Sequence, residues 1–459
     1  MKIADTLPKE YKKAFKDADI RGVYPTQINE VTTYRTARAF VQHFGLKKVI
    51  VARDMRVSSP ALRNAFVQGV TDAGAEAIDI GMVGTPAMYY ASGTMKAHGV
   101  VITASHNPKE YNGLKLVLPG AVPVTNASGL KAILKLVERG TFAASKKKGR
   151  VTKTDVFPAY KKYVAGKVKV KSDRKVRVVM DAGNGMATTF KSVLTDTLPV
   201  TTKKLFFKLD GSFPNRDSNP TLKKNQKAIV AELKTGKYGF GVSFDGDVDR
   251  VAFFDEKGWY INSAVIGAML AKYALQKKKG LPFVYTVFTS KIYEETIKQY
   301  GGKAVRARVG HAFIKEQMRK HDAFFGCEHS AHFYFKDNFY ADSGILAFLQ
   351  VLAAYTEAAK EGQTFSEMIA EFGVYHQTEE ILVKVPDKKK ALEKVAAKYG
   401  KMKSCTVKKF DGVTVTFKDY WFVVKQSVTE DALKFVVEAP EKELAEAKKK
   451  ELHVFLKSM

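Results

Sequence analysis

Short apolar runs alternate with helix-forming stretches through the first part of the chain, and this alternation restricts the fold more than any other feature. Val49-Ile50-Val51-Ala52, Ala77-Ile78-Asp79-Ile80 and Gly99-Val100-Val101-Ile102 have the length and β-branched content of buried strands. Between them lie an amphipathic stretch over 31–43 and a helix with Ser59 as cap and Pro60 at its first position, ended by Gly74. A further helix starts at Gly84-Thr85-Pro86. Strands separated in this way by helices build a mostly parallel sheet with helices on its faces, an α/β domain. A second such unit starts at Val176-Arg177-Val178-Val179-Met180, which runs into Asp181-Ala182-Gly183-Asn184-Gly185. That glycine loop lacks the G-x-x-x-x-G-K-[ST] and G-x-G-x-x-G spacings of phosphate cradles, so it reads as a tight turn. The polar, basic stretch 141–153 between the two units reads as a linker.

At 459 residues the chain is long enough for about three domains. It has no apolar stretch of membrane-spanning length, and Met1-Lys2-Ile3-Ala4-Asp5 is no signal-peptide core. Two cysteines, Cys327 and Cys405, cannot build a disulfide framework, so a reducing cytoplasm is the expected compartment. The net charge of +29 comes from lysine runs such as Lys146-Lys147-Lys148 and Lys448-Lys449-Lys450. The runs are scattered and lack interleaved aromatics, which argues against a platform for single-stranded nucleic acid. They fit a solvated surface, or a field that draws a small anion into a cleft. Neither a nucleic-acid nor a membrane partner is expected, and the chain is expected to be a monomer or homodimer.

Two stretches carry chemistry. The strand at Gly99 stops at Thr103-Ala104-Ser105-His106-Asn107-Pro108. Pro108 drives Asn107 out of helical geometry, so Ser105 falls on a turn at the carboxyl end of a strand, where open α/β sheets bind ligands. His106 is a candidate proton acceptor or charge partner for it. Lys115, on the next apolar segment, would point back at the same site. The second stretch is Asp245-Gly246-Asp247-Val248-Asp249-Arg250, following the strand that ends at Phe244. Alternate residues of an extended loop share a face, and three crowded carboxylates repel unless a cation neutralises them. Hard divalent ions such as Mg2+ take such oxygen ligands. An EF-hand is excluded by Arg250 at the sixth place and by flanks that read as strands. Arg21, beside Gly22, offers a donor fork suited to phosphate; its alternative is a surface ion pair with Asp19.

Taken together and in this order, Thr103–Pro108 and Asp245–Arg250 resemble the α-D-phosphohexomutase superfamily. Phe15 to Gly22 resembles its N-terminal arginine motif, Arg308 to Lys315 its third-domain loop, Gly326 to His332 its sugar-recognition loop, and Lys425 to Glu430 its C-terminal phosphate loop. The resemblance implies a four-domain phosphohexomutase architecture, with three similar mixed α/β domains and a TATA-binding-protein-like α+β domain. The expected segments are 1–150, 151–255, 256–372 and 373–459. It implies that Ser105 is carried as a phosphoserine whose phosphoryl passes to a hexose monophosphate, giving a bound hexose 1,6-bisphosphate that returns its other phosphate. Asp245, Asp247 and Asp249 would hold Mg2+ against Ser105. Arg250, Arg21 and His106 would stabilise charge, and Lys115 would move a proton. Glu328, Ser330 and His332, with Lys291 and His311, would bind the phosphosugar, and Lys425, Ser427 and Thr429 its distal phosphate. Asp342, before the helix that follows, reads as a cap.

The loop Glu328-His329-Ser330-Ala331-His332 is most similar to the phosphomannomutase/phosphoglucomutase branch, with mannose 1-phosphate first and glucose 1-phosphate next. The chain departs from the family at Lys425, Val428 and Asp431, where Arg, Gly and Pro are common, and at Ala331, where Gly is common. The competing readings are a phosphoglucosamine mutase, a non-catalytic phosphosugar- or nucleic-acid-binding relative, and an aspartyl-phosphate phosphatase with Asp245 as nucleophile. The last lacks the D-x-D-x-[TV] pattern, since Asp249 holds its fifth place.

Overall fold

A computed structural model describes residues 6–170, 172, 175–196, 198–427 and 431–459. The chain divides into two units: residues through Tyr260 together with His332–Phe365, and Ile261–Ala331 together with Ser366–Met459.

The first unit holds two sheets. The strand order in the first is Ile20–Val23, Tyr111–Leu118, Gly99–Ile102, Lys48–Arg53, Glu76–Met82 and Val151–Lys153. The last four are parallel, but Tyr111–Leu118 runs antiparallel to both of its neighbours in this order and to the short seventh strand Val122-Pro123. The sheet is therefore mostly parallel, as expected, but mixed through the reversed strand Tyr111–Leu118. The reason is chain length: a parallel return needs a crossover of about a dozen residues or more, and the link from Ile102 to Tyr111 is shorter. Val151–Lys153 lies at the end of the stretch read as a linker, yet it pairs with Ala77–Asp79. It is largely exposed, so it is held by backbone hydrogen bonds and leaves no apolar signature. The helix Ser59–Asp72 starts one residue earlier than expected: Ser58 stands at the cap, and the Ser59 hydroxyl instead donates to Asp54 Oδ1 at 2.5 Å.

Four of the five strands of the second sheet run in the order Val251–Asp255, Phe240–Phe244, Val176–Asp181, Val200–Leu205, the first antiparallel to its neighbour and the rest parallel. Phe348 and Tyr355 of the helix Gly344–Lys360 pack on Phe240, and Phe365 stacks on the same ring at 4.9 Å. That is why His332–Phe365 belongs to this unit.

The second unit contains the parallel strands Lys303–Ala307, Pro282–Thr286 and Phe325–Cys327, with helices Ser263–Lys277, Lys291–Gln299 and His311–Lys320. It continues into an antiparallel sheet ordered His376-Gln377, Ala432–Ala439, Trp421–Gln426, Val413–Thr416, Thr406–Lys409, with Ile381–Lys384 also on Ala432–Ala439. Two-residue periodicity sorts its side chains. Phe422, Val424, Leu433, Phe435 and Val437 pack with Val395 and Leu452 of the helices Lys388–Gly400 and Lys442–Lys457. Trp421, Val423 and Val436 pack with Val287 and Phe288. Three mixed α/β sheets and a C-terminal α+β sheet match the expected four-domain architecture. Among the described residues, no helix is long and apolar enough to cross a membrane.

Candidate active site

Ser105 is buried at the carboxyl end of the strand Gly99–Ile102, in the left-handed region with φ of 50°. A non-glycine residue held there is strained and must be fixed by its surroundings. The Thr103 hydroxyl accepts from the Ser105 N–H at 2.9 Å. Arg56, fully buried, donates to the carbonyls of Ser105 (2.8 Å), Asn107 (2.6 Å), Pro108 (2.7 Å) and Tyr111 (2.9 Å), so one guanidinium ties down the whole turn. Its Nε lies 3.3 Å from Asp54, and its plane covers the Phe213 ring.

The acidic loop comes to meet this turn. The Ser105 hydroxyl donates to Asp245 Oδ2 at 2.7 Å, and His106 Nδ1 lies 3.4 Å from Ser105 Oγ. A Cβ at Gly246 would sit 2.5 Å from the Ser105 carbonyl, so only glycine allows this approach. Lys115 is buried and donates to Asp247 Oδ2 (2.8 Å) and Asp249 Oδ2 (2.5 Å). Thr85 donates its hydroxyl to Asp247 Oδ2 at 2.6 Å. Arg250 donates from its backbone N–H to Asp245 Oδ1, and its Nε lies 4.0 Å from Asp245 and 3.9 Å from Asp249. The same Nε donates to His332 Nε2 at 3.1 Å. Arg21 donates to Asn107 Oδ1 (2.9 Å) and pairs with Asp19. The sequence-predicted Ser105, His106, Arg21, Lys115, Arg250, Asp245, Asp247, Asp249 and His332 thus meet in one cluster, buried apart from the half-buried Arg21 and His106. Asp342 is not a cap: Ser343 caps the helix, and Asp342 lies 3.6 Å from His332.

The electrostatics follow from burial opposed by neighbours. Burial, then Asp249 and Asp247, push the Asp245 carboxyl well above the usual range. Burial acts the same way on Asp249, but Lys115 and His332 override it and hold that carboxyl well below. Burial would depress the Lys115 ammonium, yet Asp247 and Asp249 raise it well above its ordinary value. His106 is pulled well below its ordinary value, by burial first and then by Arg250 and Arg21, so its imidazole is neutral.

The three aspartates fit a divalent cation. Each offers an oxygen, all within 4.8 Å of one another, and Asp247 Oδ1 is buried with no hydrogen-bond partner among the described residues. A buried carboxylate oxygen left this way is costly unless a cation takes it.

The remaining predicted residues lie in the second unit. Glu328 is buried and Ser330 half-buried; the carbonyl of Glu328 accepts from Ser263 at 2.8 Å. Ala331 takes φ of 66°, the conformation that makes glycine common there. His311 opens the helix His311–Lys320, and Lys291 opens Lys291–Gln299, its N–H donating to Glu438 Oε1 at 3.0 Å. Lys425 is buried and already engaged, donating to Asp411 Oδ1 at 2.7 Å. Ser427 is buried; Thr429 and Val428 lie outside the described residues.

Sequence reasoning missed Arg56 and Arg216. Arg216 Nε donates to Asp181 at 2.6 Å and its Nη2 to the Phe244 carbonyl at 2.8 Å, bracing the strand end from which the acidic loop springs. The only available signal was an arginine inside an otherwise turn-like segment.

Family models for phosphoglucomutase/phosphomannomutase match the chain in four consecutive pieces: alpha/beta/alpha domain I over residues 12–144, domain II over 158–258, domain III over 262–375 and the C-terminal domain over 380–453. A protein of Xanthomonas campestris pv. campestris (strain B100) described as phosphohexose mutases is 35% identical, with 94% of this chain and 95% of that one covered. A phosphomannomutase of Escherichia coli (strain K12) is 34% identical, with 93% and 94% covered. The crystal structure of a phosphoglucomutase/phosphomannomutase family protein from Burkholderia thailandensis aligns with a TM-score of 0.88 at 27% identity, over 97% of each chain. With four modules in order and relatives about a third identical over nearly their whole length, this chain belongs to the phosphoglucomutase/phosphomannomutase family of hexose-phosphate mutases.

Proposed function

We propose that the chain interconverts hexose 1-phosphate and hexose 6-phosphate, with mannose first and glucose next, through a phosphoserine at Ser105 and a bound hexose 1,6-bisphosphate that also serves as activator. The observation that carries this is the Ser105 hydroxyl, held on a strained turn 2.7 Å from the first of three clustered carboxylates. Phosphoryl transfer needs positioning and charge stabilisation more than covalent help. Phosphorylation of Ser105 would set phosphate oxygens beside Asp245, an arrangement that requires neutralisation. Asp245, Asp247 and Asp249 would hold a Mg2+ ion whose charge would supply it.

In the forward half-reaction a hydroxyl oxygen of the hexose monophosphate attacks phosphorus, and the P–Oγ bond breaks with its electron pair on Ser105 Oγ. The hydroxyl proton ends on Oγ, with the neutral His106 Nδ1 at 3.4 Å as the relay within reach. The second half-reaction reverses these bonds at the other end of the hexose. Arg21 and Arg250 donate to the transferring phosphoryl, and Lys115, which pairs with Asp247 and Asp249, is the second group able to move the hydroxyl proton. Glu328, Ser330 and His332 bind sugar hydroxyls, assisted by Lys291 and His311. Lys425, Ser427 and Thr429 bind the phosphate that is not transferred. The two thiols, Cys327 and Cys405, are unpaired, in keeping with a reducing cytoplasm.

Intact-mass measurement tests the reading: the chain carries roughly 80 Da of extra mass, one phosphate, that Ser105→Ala removes. Phosphate found on Asp245 instead overturns it, and turnover confined to glucosamine phosphates overturns the sugar. Steeply salt-dependent nucleic-acid binding without turnover would support the non-catalytic reading. Asp247→Asn keeps an acceptor for Lys115 but removes the carboxylate charge. It is expected to raise the Mg2+ concentration for half-maximal activity about 10- to 100-fold, read from an activity titration; an unchanged titration removes Asp247 from the ligand set.

A further inference from the structure

His329 stands between the proposed sugar ligands Glu328 and Ser330, and the hydrogen bonds around it allow only one tautomer. The chain of constraints begins at two backbone groups. Ala264 N–H, which can only donate, is accepted by Asn262 Oδ1 at 2.9 Å. Asn262 therefore turns its Nδ2 outward, and this donates to Gln377 Oε1 at 2.9 Å. At the other end, Gln377 Nε2 donates to the Phe288 carbonyl, which can only accept, at 2.9 Å. Both anchors set the Gln377 amide the same way, with Oε1 facing His329 Nδ1 at 2.9 Å. An amide oxygen has no hydrogen to give, so Nδ1 carries the proton and, in a neutral imidazole, Nε2 is an acceptor. Burial pulls His329 below its ordinary value, which favours the neutral ring. Among the described residues Nε2 has no hydrogen-bond partner, and it is not sealed from solvent.

We propose that Gln377 is a positioning residue that locks His329 as the Nδ1–H tautomer, and that His329 Nε2 accepts a hydrogen bond from a ring hydroxyl of the phosphosugar, making His329 a specificity-determining residue. The proposal rests on the mutase reading above for its ligand but not for its tautomer. The C-terminal sheet contributes to sugar choice by this route: Gln377 is on its edge strand, yet it fixes the donor–acceptor character of a loop far earlier in the sequence.

Two measurements test it. Imidazole 15N NMR of the full chain, with the His329 signals identified among the nine histidines by their loss in His329→Phe, is expected to show a single neutral Nδ1–H form that Gln377→Leu converts to a mixture. Turnover of 2-deoxy-, 3-deoxy- and 4-deoxyglucose 1-phosphate is compared with that of glucose 1-phosphate. One deoxy penalty, about 3- to 10-fold in kcat/KM, is expected to vanish in His329→Phe and persist in His329→Gln, which keeps an acceptor. An Nε2–H or doubly protonated ring at neutral pH overturns the proposal, as do three deoxy penalties unchanged in His329→Phe. If no hexose phosphate reacts, the mutase reading has failed and the sugar ligand with it, while the NMR result still decides the tautomer.

Discussion

Ser105→Ala is expected to lose turnover of hexose phosphates by a factor on the order of 10^4 or more, because the proposed mechanism stores the phosphoryl on that hydroxyl and names no substitute for it. The fold should survive. Alanine meets the same left-handed backbone as serine, and the turn is held through its carbonyls by Arg56 and through its N–H by Thr103, neither of which needs the hydroxyl. The thermal midpoint is therefore expected to move by only a few degrees, about the shift of a surface-sized change. Added hexose 1,6-bisphosphate should not restore activity, since on the proposed mechanism it would prime the wild type only by delivering phosphate to that oxygen. Retention of more than about one per cent of wild-type turnover, a loss of under about 3 kcal/mol in transition-state stabilisation, would sink the phosphoserine mechanism.

Arg56→Met is expected to damage stability more than any substitution among the predicted site residues. The change leaves Asp54 buried without its cation and strips the donors from four carbonyls. Breaking a buried ion pair from one side costs about 3–5 kcal/mol, a large share of the roughly 5–15 kcal/mol that holds a domain together. Hydrogen exchange should show the loss in peptides covering 99–118, while peptides of the Trp421–Gln426 sheet in the other unit keep their protection. Activity should fall with it, because Ser105 loses the tie that holds it at φ of 50°. Arg56→Lys keeps the charge without the planar fork and should fall between the two. Unchanged protection over 99–118 would show that the turn holds itself.

The family was legible because its chemistry lies in contiguous stretches. Pro108 and the end of the apolar run locate Ser105 on a turn, and alternate aspartates after Phe244 share a face whatever surrounds them. Helix limits were legible to within a residue where Gly74 and Pro60 mark them. Less could be read where contacts skip along the chain. The strand Val151–Lys153 joins its sheet through backbone hydrogen bonds alone, and Asp342 turned from a helix cap into a neighbour of His332. Lys425 reads as a free phosphate ligand until Asp411, on the adjacent hairpin, is found bonded to it.

By itself the sequence determined the alternation of strands and helices, the serine turn and the acidic triad, because each depends on neighbours within a few positions and on the fixed periods of helix and strand. Only the tertiary structure decided that Arg56 would brace the serine turn, that His332–Phe365 would join the first unit, and that Gln377 would set the tautomer of His329. Hydrogen bonds between distant segments satisfy buried donors and acceptors one at a time, and such pairing repeats with no period that a one-dimensional pattern could carry.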